Sequence, residues 1–136
     1  MKLVKQRTSG DCGIACLSMI LNKDYETIEY ELNEIIEYDE DRDISIHGID
    51  IDDIFRYLKD SNIPFNISSW FGSNRAIAIV PSLNADIGLH YIAYDGKEIF
   101  DPSKGPLLWP DNAPINKDGK RILPIAVVIS IENIAM

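Results

Sequence analysis

The sequence predicts an α+β domain, with N-terminal helices packed on a C-terminal antiparallel β-sheet. Three observations predict it. Apolar residues recur at helical spacing up to Asp60, and from Phe65 onward the apolar runs become short and strand-like. Two such runs, Leu89 to Tyr94 and Glu98 to Asp101, flank Asp95-Gly96, a favoured hairpin dipeptide. No repeat, linker or low-complexity tract interrupts the 136 residues, which fits a single domain over 1–136.

The elements follow in order. A first helix is expected to start at Cys12, with Asp11 or Ser9 as its N-cap, and to run through Leu21. Asn22-Lys23-Asp24 reads as its stop and as a fresh N-cap. A second helix is expected over about Tyr25 to Tyr38, with Ile28, Leu32, Ile35 and Ile36 inward and the glutamates on a solvated face. Asp39-Glu40-Asp41-Arg42-Asp43 has the alternating acids of a calcium loop, but Ile44 stands where such a loop needs Gly. His47 reads as a cap or surface residue beside Gly48. A third helix is expected over about Asp50 to Asp60, ended by Asn62-Ile63-Pro64. Phe65 to Trp70 and Ile77 to Val80 read as strands, followed by the hairpin. Pro102 to Lys120, with Pro106, Pro110 and Pro114, reads as a long irregular loop in which Trp109 is a candidate cleft wall. Ile122 to Ile131 is a closing strand, and Trp70 reads as a core aromatic.

Thirteen basic and 22 acidic residues give a net charge of −9, which argues against binding nucleic-acid backbone or anionic membrane. Two cysteines on one helix make a poor disulfide framework, and no secretory signal or membrane span is visible. A soluble, cytoplasmic protein is the expectation.

The chemistry concentrates in Gln6-Arg7-Thr8-Ser9-Gly10-Asp11-Cys12-Gly13-Ile14-Ala15-Cys16. In the first helical turn, unpaired N–H groups and the helix dipole favour a thiolate at Cys12. The amide of Gln6, in the preceding extended segment, and the Cys12 N–H could form the two halves of an oxyanion hole. Cys16, one turn on, reads as a small core hydrophobe. A thiolate nucleophile also needs a base and an orienting acid. Counting outward from a two-residue Asp95-Gly96 turn places Tyr94 opposite Lys97 and His90 opposite Asp101, on one face of the sheet. A carboxylate so placed fixes the imidazole tautomer and leaves the other ring nitrogen for the thiol.

Asp11-Cys12-Gly13-Ile14-Ala15-Cys16-Leu17-Ser18-Met19-Ile20, preceded by Gln6, resembles the active-site segment of the bacteriocin-processing peptidases. These are papain-like cysteine peptidases that cut leader peptides after a double glycine. His90-Tyr91-Ile92-Ala93 and Asp101-Pro102 resemble the family's later motifs, so the likeness spans Gln6 to about Pro102. It implies a papain-like fold, with Cys12 as nucleophile, His90 as base, Asp101 as orienting residue, Gln6 in the oxyanion hole and Cys16 as structural. It implies a peptide or protein substrate and no cofactor. Bacteriocin-processing members are usually fused to a membrane transporter, whereas this chain reads as a stand-alone peptidase.

Two rival readings come from other classes. An inactive papain-like module would use the same cleft to capture a peptide or protein partner. A metal site built from Cys12, Cys16, His47 and His90 has no usual zinc spacing, and no metal is expected.

Overall fold

The structure is a computed structural model that describes residues 1–7, 11–36, 48–69, 72–81, 89–102, 105–106 and 127–132. The expected positions His47, Trp70 and Trp109, the acidic run 39–44, residues 37–38 of the second helix and residues 122–126 of the closing strand lie outside them.

Among the described residues, three helices precede six strands. Helix α1 spans Cys12–Leu21, and every one of its residues is buried. Its sequence has almost no polar face to give to water, so it sits in the core. Asn22 ends it in the left-handed conformation, with φ 53°, as its place after the apolar run predicts. Helix α2, Tyr25–Ile36, buries Tyr25, Ile28, Leu32 and Ile36 and exposes its glutamate face; Ile35 is only half-buried. Helix α3, Ile51–Asp60, starts one residue after Asp50, which is its N-cap. Asp50 and Asp53 cap each other's backbone N–H groups at 2.9 and 3.0 Å, a reciprocal capping box. Asn62, at φ 57°, turns the chain out toward Pro64.

The strands are β1 (Phe65–Ser68), β2 (Ala76–Pro81), β3 (Leu89–Tyr94), β4 (Ile99–Asp101), β5 (Gly105–Pro106) and β6 (Val127–Ile131). They form one sheet in the order β1-β6-β2-β3-β4-β5, with every described pairing antiparallel. The α+β class is therefore as the sequence predicts. One detail differs. Part of the expected Pro102–Lys120 loop is strand, since β5 pairs with β4. The closing strand β6 begins at Val127 among the described residues, and it lies between β1 and β2.

Alternate residues of β3 face different surroundings. Tyr91 and Ala93 join the main core formed with α1, α2 and α3, whereas Ile92 packs with Ala76, Ala78 and Val128 in a second, smaller cluster. His90 shares the parity of Ile92.

The hairpin corrects the expected register. Ala93 pairs with Phe100 and Tyr94 with Ile99, so His90 is not directly opposite Asp101. The turn sits one residue later than expected. Asp95 N–H donates to the Glu98 carbonyl at 3.2 Å, which closes the strands around Gly96-Lys97. The Asp95 side chain accepts from the Lys97 and Glu98 N–H groups at 2.8 and 2.7 Å, so it folds back on the turn and cannot be one of its two central residues. Gly96 alone of the pair has positive φ, 104°, the pattern of a type II′ turn rather than the expected type I′. The pairing moves by two positions. Side chains alternate with a period of two, so His90 and Asp101 stay on one face as diagonal neighbours.

Candidate active site

The site forms where the start of α1 meets the start of β3 and the end of β4. Cys12 opens α1 and is buried, 8% exposed. His90 lies at the second position of β3 and Asp101 at the last of β4. His90 Nε2 and Asp101 Oδ1 are 2.8 Å apart, and Asp101 is buried at 6% exposure. Cys12 lies close enough to His90 to raise the pKa of its ring. With Nε2 taken by Asp101, Nδ1 is the nitrogen left for the sulfur. The three residues that the sequence nominated are therefore brought together, in the linear order sulfur, imidazole, carboxylate.

Electrostatics favour the charged imidazole. Burial opposes the charge of His90, but the hydrogen bond to Asp101 and the interactions with Asp101 and Cys12 outweigh it and push its pKa up to about 9. At neutral pH the charged imidazole is thus the favoured form. Cys16 behaves differently. It is wholly buried, and burial, with the charges of Cys12 and Asp101 added, raises its thiol well above the ordinary range. That is the environment of an inert core cysteine.

Gln6 approaches from the other side. Its backbone N–H donates to the carbonyl of Pro102 at 2.9 Å, one peptide beyond Asp101. This bond lays the N-terminal segment beside the end of β4. Arg7 follows, and its N–H donates to Asp11 Oδ2 at 2.8 Å.

Asp11 differs from expectation. It occupies the N-cap position and its carbonyl accepts from Ala15 N–H at 3.1 Å, but its side chain makes no cap bond. Its φ and ψ, −104° and 21°, lie away from the extended region that aims a capping side chain at the helix N–H groups. The carboxylate instead turns to Tyr25 on α2, whose hydroxyl donates to Oδ2 at 2.5 Å. Nothing local in the sequence marks Tyr25 as the partner of Asp11.

Gly13 and Tyr91 are also part of the site's frame, and the sequence reading passed over them. A Cβ on Gly13 would stand 2.7 Å from Ile49 Cγ1 and 3.2 Å from Tyr91 Cδ2. The Tyr91 hydroxyl donates to the Ile49 carbonyl at 3.0 Å, which locks the ring in place. Only glycine lets the first turn of α1 approach β3 this closely. A glycine inside an otherwise strong helical run was the available signal.

Among the described residues, no group of three or more His, Cys, Asp or Glu side chains could hold a metal ion. No described helix is long and apolar enough to cross a membrane.

Comparison with protein families finds that the model of the peptidase C39 family matches residues 1–112. A comparison with curated proteins finds no match.

Proposed function

The chain belongs to the peptidase C39 family, and we propose that it is a cysteine peptidase in which Cys12, His90 and Asp101 form the catalytic triad and Gln6 completes the oxyanion hole. The observation that carries this reading is the His90–Asp101 pair, 2.8 Å apart, beside a Cys12 close enough to raise the imidazole's pKa.

The reaction runs as acyl transfer. The Cys12 thiolate attacks the scissile carbonyl and an S–C bond forms. The carbonyl oxygen becomes an oxyanion, which accepts from the Cys12 N–H and the Gln6 side-chain amide. The imidazolium of His90 gives its proton to the leaving amine as the C–N bond breaks. Neutral His90 then takes a proton from water, the resulting hydroxide attacks the thioester, and the S–C bond breaks. Thiolate and imidazolium are both restored. Asp101 holds the ring orientation throughout and offsets the positive charge.

The substrate we propose is a peptide cut after a double glycine. Cys12 is only 8% exposed, so the scissile carbonyl must reach a recessed sulfur. Residues without a Cβ bring the least bulk into that approach.

The test is a synthetic peptide with an internal Gly-Gly, followed by mass spectrometry, with wild type beside Cys12→Ala. Cleavage after the second glycine by wild type alone supports the reading. Cleavage retained in Cys12→Ala refutes it. Alkylation of Cys12 against pH, with Cys16 as internal control, tests the pair directly. Fast labelling below pH 7 that is lost in His90→Ala is the expected result.

A further inference from the structure

The buried carboxylate of Asp11 takes no part in the chemistry above. It is fully buried and directly precedes the nucleophile. Its side chain makes no cap bond to α1, and its oxygen serves other partners.

Oδ2 accepts two donors from different parts of the chain, the Arg7 backbone N–H at 2.8 Å and the Tyr25 hydroxyl at 2.5 Å. Tyr25 is anchored in α2, and its ring is covered by the Arg7 guanidinium, 3.9 Å from the ring centre. Arg7 Nη2 also pairs with Glu26 Oε1 at 2.6 Å on the surface. Gln6, one peptide before Arg7, is tied through its own N–H to Pro102. The Gln6-Arg7 segment is thus pinned at one end to the His90–Asp101 side of the cleft and at the other to the helix that carries Cys12. The second tether ties the residue after Gln6 to the start of α1.

We propose that Asp11 is a positioning residue for the oxyanion hole, holding the Gln6-Arg7 segment in register with the start of α1 through its paired bonds to Arg7 N–H and the Tyr25 hydroxyl. The proposal rests on the triad and oxyanion assignment made above. It separates two properties that a general structural role would change together. Thiolate formation depends on Cys12 and His90, whereas stabilisation of a tetrahedral oxyanion depends on the placement of Gln6.

Two probes read these properties apart in the full chain. Iodoacetamide reacts with the thiolate by displacement at a saturated carbon and forms no oxyanion. p-Nitrophenyl acetate is attacked at its carbonyl and forms one. Both rates are followed at Cys12 by peptide mapping, and the ratio of ester acylation to alkylation is the readout. Gln6→Ala should lower that ratio by about tenfold or more, since one oxyanion donor is worth about 10²–10³ in turnover of a peptide bond. Asp11→Ala should lower it similarly while the pH profile of alkylation stays in place. The double variant Asp11→Ala/Gln6→Ala should be no worse than Gln6→Ala, because both changes remove the same contact. Asp11→Asn keeps an acceptor oxygen for both donors and should hold the ratio within about threefold of wild type. Tyr25→Phe removes one donor and should give an intermediate ratio; it carries the test if Asp11→Ala does not fold.

An unchanged ratio in Asp11→Ala, or in Tyr25→Phe where that variant carries the test, refutes the proposal while leaving the peptidase reading intact. Equal losses in both rates refute it as well, by showing a merely structural role. A wild-type Cys12 no faster than free cysteine toward either probe refutes the peptidase reading and the proposal together.

Discussion

Replacing Asp101 with Asn isolates the charge that holds His90. The imidazolium of His90 is raised from 6.5 to about 9 even though burial, the largest single influence, acts against it. The hydrogen bond to Asp101 is the largest influence in favour. Asn fills the same space and still accepts a hydrogen bond, but it carries no charge. Loss of an opposite charge at this distance is worth about 1–3 pKa units. The His90 pKa in Asp101→Asn is therefore expected to fall by at least about one unit. The folded pKa lies above the unfolded one, so this group's stabilisation is complete below about pH 6.5 and disappears as pH rises through about 9. The full shift corresponds to about 3 kcal/mol. Wild type should lose stability across that window, by up to this amount, and Asp101→Asn should lose clearly less. NMR titration of the two histidines, with His47 as a second resonance in the same spectrum, gives the pKa, and urea unfolding at a series of pH values gives the slope. An unshifted His90 titration in Asp101→Asn would refute the reasoning, as would a wild type whose stability is flat or rising from pH 6.5 to 9.

Three further outcomes follow from packing. Gly13→Ala should destabilise by about 1–3 kcal/mol in urea unfolding and depress peptide turnover, because the new methyl meets Ile49 and the locked ring of Tyr91. Gly96→Ala should cost about 1–3 kcal/mol, since φ is 104° and a Cβ would stand 2.8 Å from the Ser73 carbonyl oxygen, a backbone atom that cannot swing away. Cys16→Ala should cost about 1–2 kcal/mol from a small core void yet leave the alkylation of Cys12 and its pH profile unchanged. Loss of Cys12 labelling in that variant would show that Cys16 is more than packing.

Much of this molecule is legible from local pattern. The three helices follow from apolar spacing and from stops at Asn22 and Asn62, all features that act within one or two turns. The meeting of His90 and Asp101 was legible for a sturdier reason than the register that suggested it. The turn sits at Gly96-Lys97 because the Asp95 side chain binds the Lys97 and Glu98 N–H groups, and the pairing moved by two residues. Two is the period of a strand, so the shared face survived while the direct opposition did not.

The tertiary structure decided the rest. β6 is buried on both sides and belongs inside a sheet, but its Val-Val-Ile-Ser-Ile run carries no mark of which strands flank it. Its place between β1 and β2 is set by pairing with strands far from it in the chain. Asp11 looked like a helix cap because a cap is a local decision. Its carboxylate turned to Tyr25 and Arg7 because α2 folds back against α1 and offers a hydroxyl where a buried charge needs a donor. The composition of a motif and the face of a strand are properties of neighbouring residues, and one sequence determines them. Which buried polar groups find each other across the core depends on how the elements pack, and only the folded chain determines that.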